Sequence, residues 1–230
     1  MCGRMTLTEP DLSAVAALID ARLEPADAPL YRPRFNAAPS DLHFIGLDGK
    51  GARRLVPARW GVAGARGQLV INARSESADL RPRFRDAWAR RRCVVPADGF
   101  YEWTGARGDR RPLWFHLREP SPGGVFFFAG LFEEPPHGAG EVRPSFCVLT
   151  TEANALVAPV HDRMPVILDG AQALRWLLQP DPALLAPAPE GLLVATEVSA
   201  RANSVANDDA ACLVPAPSRE AQTQRQLPLL

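Results

Sequence analysis

Short apolar runs, each ended by a cluster of proline, glycine or charged residues, recur along most of the chain and limit the folds that it can adopt. Apolar runs of about four to eight residues are typical of strands, whereas helices need longer periodic stretches. The pattern therefore predicts many short strands. They cover residues 42–47, 55–59, 69–73, 93–96, 114–117, 125–131, 146–150, 166–168 and 192–198.

Helical periodicity is confined to residues 12–23, 84–92 and 171–178. The turn at Asp48-Gly49 lies between the first two predicted strands and indicates a hairpin. Together these elements predict an α+β fold, in which a largely antiparallel, barrel-like β-sheet core is flanked by helices. No linker divides the first two hundred residues. We therefore expect one domain over residues 2–215, followed by a disordered, polar C-terminal tail at residues 216–230.

The basic residues are almost all arginines, because Lys50 is the only lysine. It lies in a glycine-flanked turn, where a lysine is solvated and protonated. A desolvated lysine that forms an imine is therefore almost excluded, and imine chemistry would have to use the N-terminal amine. Basic and acidic residues number 26 each, so no net charge draws the chain to nucleic acid or to a membrane.

The chain shows neither a signal peptide nor an apolar run of membrane-spanning length, so we expect a cytoplasmic protein with no membrane contact. Its four cysteines lie far apart without a C-x-x-C pair, which argues against a zinc site and a disulfide framework. We expect Cys93 and Cys147 to be buried packing residues. Neither a metal nor a cofactor is predicted.

The second residue is a cysteine, followed by Gly3 and Arg4. The small side chain of residue 2 favours removal of Met1. After that removal, Cys2 carries a free α-amine beside its thiol. The pKa of an α-amine is about 7.7–8.0, so roughly a tenth of such amines are unprotonated at neutral pH. A 1,2-aminothiol reacts with an aldehyde to give an imine and then a thiazolidine ring. The alternative is a terminal residue without chemical function.

Three polar residues lie within or beside apolar or aromatic segments. Asn72 follows one strand-like run, and His161 precedes another. Glu102 lies between Tyr101 and Trp103, an environment that can raise a carboxyl pKa toward the range of a general acid or base. Each residue also has a structural interpretation. In it, Asn72 forms a turn, Glu102 pairs with an arginine and His161 is a hydrogen-bonded structural residue.

Five motifs occur in a recognisable order along the chain. They read MCGR at residues 1–4, PRFNAAP at 33–39, INARSE at 71–76, RCVVPADGFYEW at 92–103 and HDRMPVIL at 161–168. Their combination resembles the SOS response-associated peptidase (SRAP) family, the abasic-site-processing proteins. The resemblance runs from residue 2 to about residue 215. One departure follows Trp60-Gly61, where the usual proline and second tryptophan are missing.

The resemblance implies a single SRAP domain that binds single-stranded DNA carrying an abasic site, in the SOS response to DNA damage. In that family the cysteine at the position of Cys2 forms a thiazolidine with the sugar aldehyde. The residue at Asn72 orients the aldehyde and the cysteine. The residue at Glu102 acts as acid and base in ring opening and imine formation, with the one at His161 as its partner in proton transfer. A lyase reaction through the same imine is a further expectation.

The predicted DNA contacts combine positions that match the family with arginines concentrated between residues 81 and 92. Trp60 is interpreted either as a base-stacking residue or as a core residue, and the arginine concentration either as a DNA-binding face or as a solvated helix face. Arginine suits phosphate because its planar group binds two oxygens. The predicted contacts are Arg4, Asn36, Pro39, Trp60, Arg74, Arg81 and Arg163.

Two other functions fit the same residues. The first is a thiol peptidase or autopeptidase in which Cys2 is the nucleophile, His161 the base and Glu102 the orienting group. The second is a non-catalytic nucleic-acid-binding module. The tail ends in QLPLL at residues 226–230. This sequence is similar to peptides that bind the replication sliding clamp, and the alternative is an apolar tail without function. We expect a monomer that associates with the nucleoid when it is bound to DNA.

Overall fold

The computed structural model of the chain describes residues 2–49, 52–106, 108–119, 124–135 and 143–217. Within these ranges the chain forms three α-helices and sixteen β-strands. The helices are α1 (Leu12–Ala17), α2 (Pro82–Arg90) and α3 (Gly170–Leu178). The strands are β1 (Met5–Leu7), β2 (Ala21–Leu23), β3 (Arg34–Ala37), β4 (Leu42–Gly49), β5 (Ala52–Trp60), β6 (Val62–Ala63), β7 (Leu69–Val70), β8 (Asn72–Arg74), β9 (Arg92–Ala97), β10 (Gly99–Thr104), β11 (Arg111–Leu117), β12 (Phe126–Glu133), β13 (Ser145–Glu152), β14 (Arg163–Pro165), β15 (Ile167–Leu168) and β16 (Leu193–Glu197).

Two sheets carry most of the structure. The smaller has the strand order β16-β11-β10-β1-β3, and the larger has the order β14-β13-β12-β9-β4-β5-β2 with β8 and β15 attached. A further pairing between β5 and β13 closes five strands of the larger sheet into a ring. Most pairs are antiparallel, and β4 and β5 form the predicted hairpin. The predicted α+β fold with a largely antiparallel sheet is confirmed, and the structure shows a closed ring of strands where a barrel-like core was predicted.

Alternating side chains of the ring face the two larger of three apolar clusters. On β12, Phe127 faces the cluster beneath the helices, whereas Phe126 and Phe128 face a cluster between the two sheets. Cys2 belongs to the second cluster. Cys93 and Cys147 are buried and unpaired, as predicted. Cys2 is thus held inside the protein, where the two sheets meet.

Arg92 connects the C-terminal ends of two helices. Its guanidinium donates to the carbonyls of Trp88 and Ala89 at the end of α2 and to those of Trp176 and Leu177 at the end of α3. These carbonyls lack partners within their own helices, and the negative end of each helix dipole favours a cation there. Arg92 is therefore a structural residue.

The helix predicted at residues 12–23 is too long. It ends at Ala17, and Asp20 adopts φ 49°, which is outside helical geometry. The following residues form β2, which pairs in parallel with β5. The strand predicted at residues 69–73 is divided into β7 and β8, which pair with different strands. Pairing of β2 with β5 and of β8 with β13, both distant in the sequence, overrides the local pattern.

The last described residues lie beside β16. Pro215 bridges to Val198, and the amide of Ala216 donates to the carbonyl of Glu197. Lys50, residues 218–230 and therefore the predicted clamp-binding peptide lie outside the described residues. Over the part of the chain that the structure describes, no helix combines the length and the apolarity needed to cross a membrane.

Candidate functional site

Cys2 is completely buried at the start of the smaller sheet. The chain passes from it into β1, where Met5 pairs with Phe100 of β10 on one side and with Ala37 of β3 on the other. The Cys2 thiol donates to the carbonyl of Arg4, with 3.7 Å between Sγ and the oxygen. This placement sets residue 2 beside the strand that carries Glu102.

Asn72 binds the main chain of Cys2 directly. Its Nδ2 donates to the Cys2 carbonyl oxygen at 2.8 Å, although the two residues are 70 positions apart. β8 is held in place by parallel pairing with β13, where Asn72 lies opposite Val148. The Oδ1 atom of Asn72 is buried and accepts no hydrogen bond from the described residues. A buried acceptor without a donor costs about 1–3 kcal/mol, so the amide has capacity for a donor from a ligand or from the α-amine of residue 2.

Glu102 lies on the same face of β10 as Phe100, because alternate strand residues share a face. That face is turned to the cluster that contains Cys2, and Glu102 is only 7% exposed. Burial raises the pKa of the Cys2 thiol well above its ordinary value, and the nearby charge of Glu102 raises it further. At neutral pH, in the chain that retains Met1, the thiol is therefore protonated, which agrees with its donation to Arg4.

His161 lies just before β14, in a segment fixed by Val157 and Met164. Both of these side chains pack into the cluster that contains Cys2. His161 Nδ1 lies 2.9 Å from the amide nitrogen of Arg163 and 3.0 Å from a carboxylate oxygen of Asp162. In a neutral histidine ring, one nitrogen either accepts a hydrogen bond or donates one. Nδ1 therefore cannot both accept from the Arg163 amide and donate to the Asp162 carboxylate. We assign the bond from Arg163, whose N–H direction is fixed, because the Asp162 side chain is 81% exposed. The neutral ring then carries its proton on Nε2.

Arg163 is buried in an ion pair. Its Nη1 and Nη2 donate to the two carboxylate oxygens of Glu76, each at 2.7 Å, and Nη2 also reaches the carbonyl of Thr150 at 2.6 Å. The hydrogen bond from Arg163 lowers the pKa of Glu76. In this conformation the guanidinium joins β14 to the segment after β8, and a phosphate could reach it only if this pair opened.

Asn36 is held by internal hydrogen bonds. It is fully buried, and its Nδ2 lies within hydrogen-bond distance of the carbonyls of Ala202, Ser204 and Asn207. Its Oδ1 accepts from Nη1 of Arg4 at 2.7 Å. These internal bonds fix the segment around residues 202–207, and the DNA contact of Asn36 stays a prediction.

Trp60 is a core residue. It is 1% exposed, its ring stacks on Phe146 with 6.3 Å between centroids, and its Nε1 donates to the carbonyl of Ile71 at 3.1 Å. This burial agrees with the core interpretation, because a ring with no accessible face is not placed to stack on a base. Its bond to Ile71 instead supports the residue before Asn72.

The remaining predicted DNA contacts differ in exposure. Arg74 is exposed two residues after Asn72, and Arg81 is exposed at the start of α2, where its Nε donates to Ser77. Pro39 is partly exposed. Most of the arginine concentration is engaged internally, since Arg83 binds Glu133 and both Arg90 and Arg91 bind Asp86. These arginines therefore fit the ordinary helix-face interpretation better than a DNA-binding one.

One pocket beside this site was not anticipated from the sequence. Its volume is about 310 Å³, and Arg4, Trp103, Gly108, Arg110 and Asn203 line it. The only signal in the sequence is strand alternation, which turns Trp103 to the opposite face from Glu102. Asn203 contacts Arg110 across 93 positions, so no local pattern indicates that pairing.

Comparison with known proteins identifies the relatives of this chain. Residues 1–205 match the family model described as SOS response associated peptidase (SRAP). The abasic site processing protein YoqW of Bacillus subtilis is 33% identical over 90% of this chain and 96% of its own length. YoaM of the same organism, also named an abasic site processing protein, is 33% identical over 93% of this chain and 97% of its own length.

A solved structure shows the same fold. The crystal structure of a protein from Bacteroides thetaiotaomicron superposes with a TM-score of 0.79 at 20% identity, covering 94% of this chain and all of the other. The family match extends over the segments that hold Cys2, Asn72, Glu102 and His161. This chain belongs to the SRAP family.

Proposed function

We propose that the protein, once Met1 has been removed, forms a covalent cross-link with abasic sites in single-stranded DNA through Cys2. The α-amine attacks the C1′ aldehyde carbon and water leaves, which gives an imine. The thiol sulfur then adds to the imine carbon, and the thiol proton passes to the nitrogen. The product is a thiazolidine, and the only other product is the water that was lost.

The bond between Asn72 and the Cys2 carbonyl carries this proposal. It fixes the main chain of residue 2 and so sets the position of both nucleophilic atoms. The Asn72 Oδ1 can accept from the α-amine or from a hydroxyl group of the sugar. Positioning of reacting groups in this way is a large source of rate acceleration.

Glu102 and His161 supply the proton transfers. Abasic sugars are mostly closed hemiacetals, so ring opening requires an acid and a base before the aldehyde can be attacked. In the chain that retains Met1, burial raises the pKa of the Cys2 thiol. We assign the first attack to the amine, and ring closure then requires removal of the thiol proton. Glu102 lies close enough to the thiol to affect its pKa and is the group that we assign to that step.

The same imine can also undergo β-elimination of the 3′ phosphate, which is a lyase reaction that cuts the strand. Closure of the thiazolidine removes the imine and competes with this reaction. The cross-link therefore shields the lesion, and strand cleavage is the side reaction when ring closure is slow.

The peptidase interpretation receives less support. A thiol peptidase needs a thiolate, whereas burial raises the pKa of the Cys2 thiol and the thiol donates to the Arg4 carbonyl. His161 Nδ1 accepts from its own segment at Arg163. Removal of Met1 by a separate aminopeptidase is sufficient for the cross-linking chemistry.

The test is a denaturing gel of the protein with a single-stranded oligonucleotide carrying one abasic site. Mass spectrometry first establishes that the chain begins at Cys2. We expect a heat-stable adduct with the unsubstituted protein and with Cys147→Ala, a buried cysteine of the other core cluster. The Cys2→Ala variant should give none. An adduct of equal yield and heat stability from Cys2→Ala would contradict the proposal.

A further inference from the structure

An apolar cavity lies at one end of the smaller sheet, where β11 ends and β16 begins. It is called here the Leu192 cavity, and its volume is about 500 Å³. Pockets of this size hold drug-sized ligands and have room for several apolar side chains. Leu192 itself is 37% exposed. The larger aliphatic side chains of the lining include Leu18, Leu117, Ile167, Leu168, Leu184 and Leu192.

The polar side chains of this lining are already engaged. The described lining contains two, Asp169 and Gln172, which form the capping box of α3. Asp169 Oδ1 accepts from the Gln172 amide at 2.8 Å, and Gln172 Oε1 accepts from the Asp169 amide at 3.0 Å. An occupant of the cavity is therefore held by apolar contact, and its binding removes exposed apolar surface from water.

The strand beside the cavity, β16, has an open edge. It is the last strand of the smaller sheet, and the structure describes β11 as its partner on one side. The carbonyl of Leu192 accepts from Arg118, and the amide of Val198 donates to β11. Because backbone groups of a strand alternate in direction, the amides of Leu193 and Ala195 face the other, open edge.

The chain turns back along this open edge after the last short helix. The amide of Ala216 donates to the carbonyl of Glu197, and Pro215 bridges to Val198 in antiparallel sense. An antiparallel segment that follows β16 runs from its C-terminal end toward its N-terminal end. The chain beyond residue 217 is therefore directed toward the Leu192 cavity.

The sequence of the following segment is compatible with continued pairing. The same register sets Ser218 opposite Ala195 and Glu220 opposite Leu193, with the amides of these alternate positions facing β16. Pro217 precedes Ser218 at a position whose amide would face away from β16. Its missing N–H therefore costs no hydrogen bond to the strand.

We propose that residues 218–230 of this chain bind along the open edge of β16 and that the three leucines of residues 226–230 fill the Leu192 cavity. The ten residues after Glu220 can extend about 33 Å, so the apolar end reaches the cavity from the end of β16. The leucines supply the apolar side chains that the lining requires. A segment whose polar composition predicts disorder in isolation is thereby ordered on the fold.

Hydrogen exchange of the whole chain, followed by NMR, tests this docking at Leu193 and Ala195. Their amides should be protected, because carbonyls of the docked segment accept from them. Replacing the three leucines of residues 226–230 by serine should lower this protection roughly tenfold or more, since burial of one leucine is worth about that factor. The amide of Val194 faces β11, and its unchanged protection shows that the strand itself stays paired.

Leu192→Asp tests the docking from the side of the cavity and should cause the same loss of protection. The matched control is Leu80→Asp, because Leu80 is a 68% exposed leucine outside the lining. If the serine variant protects Ala195 as well as the unsubstituted chain does, or if Leu192→Asp behaves like Leu80→Asp, the docking is wrong. If Leu192→Asp does not fold, the serine variant decides the question alone.

Sedimentation of the same samples identifies which chain supplies the segment. Protection that persists on dilution of a monomer supports docking within one chain. Protection that is lost on dilution, together with a dimer at higher concentration, means that a second copy fills the cavity and overturns the proposal. The docking does not depend on Cys2, so absence of a DNA adduct in a parallel cross-linking assay overturns only the proposed function.

Discussion

The side-chain amide of Asn72 donates a 2.8 Å hydrogen bond to the main-chain carbonyl of Cys2. The contact fixes the reactive residue through its backbone, which leaves both its amine and its thiol available for chemistry. It also makes the position of residue 2 depend on β8, a three-residue strand that is paired with β13.

Replacing Asn72 by aspartate removes the donor and keeps the shape. We expect Asn72→Asp to slow cross-linking roughly 10- to 100-fold, since loss of a buried hydrogen bond costs about 1–3 kcal/mol. The measurement is the single-turnover rate at saturating abasic DNA. Asn207→Asp is the matched control, because Asn207 also donates to a carbonyl at 2.8 Å but lies outside the Cys2 site. Equal rates for both variants would contradict the assigned role.

Replacing Cys2 by alanine keeps the α-amine after removal of Met1 but removes the sulfur. The Cys2→Ala variant should therefore form an imine that borohydride traps, without a heat-stable adduct in the absence of borohydride. It should also cut more of the abasic strand than the unsubstituted protein, because no thiazolidine closes. Gel analysis with and without borohydride checks both statements, and a variant that neither is trapped nor cuts would contradict them.

The Cys2 thiol of protein that retains Met1 should be poorly reactive at neutral pH. Burial raises its pKa, so the thiolate fraction is below that of a free cysteine and increases only at alkaline pH. Iodoacetamide labelling at increasing pH, followed at the Cys2 peptide by mass spectrometry, tests this. The same peptide in urea should titrate near the ordinary value of about 8.5. A folded-state midpoint at or below that value would be inconsistent with the buried thiol.

The pair of Glu76 and Arg163 should make stability depend on acid pH. The pKa of Glu76 is lowered in the folded state, so the pair stabilises the fold above the ordinary carboxyl pKa of about 4.3. This contribution is lost as pH falls from there through the folded-state pKa. Urea unfolding should show Glu76→Gln to be less stable than the unsubstituted protein near neutral pH, with the difference shrinking below about pH 4. A difference that does not change with pH would show that charge plays no part.

Trp60 should matter for stability and not for DNA contact. Trp60→Leu removes a buried ring and its bond to Ile71, and we expect it to lower the free energy of unfolding by about 2–4 kcal/mol. The folded variant should bind undamaged single-stranded DNA as tightly as its parent. Unfolding curves and anisotropy measure the two effects separately, and a selective loss of affinity at unchanged stability would restore the stacking interpretation.

The sequence predicts the strands that are long enough to show a pattern. The hairpin of β4 and β5 and the buried run of β12 follow from apolar continuity and turn residues. β6, β7 and β8 are two or three residues long and exist because of their partners. A pattern within a window of residues cannot show such pairings.

In the site, too, the sequence predicts some residues correctly but not the contacts between distant segments. The motifs single out Cys2 and Asn72, and the structure joins them. The motifs cannot tell that Arg163 binds Glu76 across 87 positions, or that Trp60 lies against Phe146. Exposure depends on these distant partners, which is why two residues expected to contact DNA, Asn36 and Trp60, are buried instead.

Arg92 and the pairing of β5 with β13 have a consequence for how the protein can be divided. Arg92 connects the ends of α2 and α3, and β13 completes the ring begun by β5. Each half of the chain therefore contains a surface that only the other half covers. A cut in the stretch between β12 and β13 should leave two fragments that stay associated and lose their structure together, so the whole molecule behaves as one cooperative unit rather than two foldons.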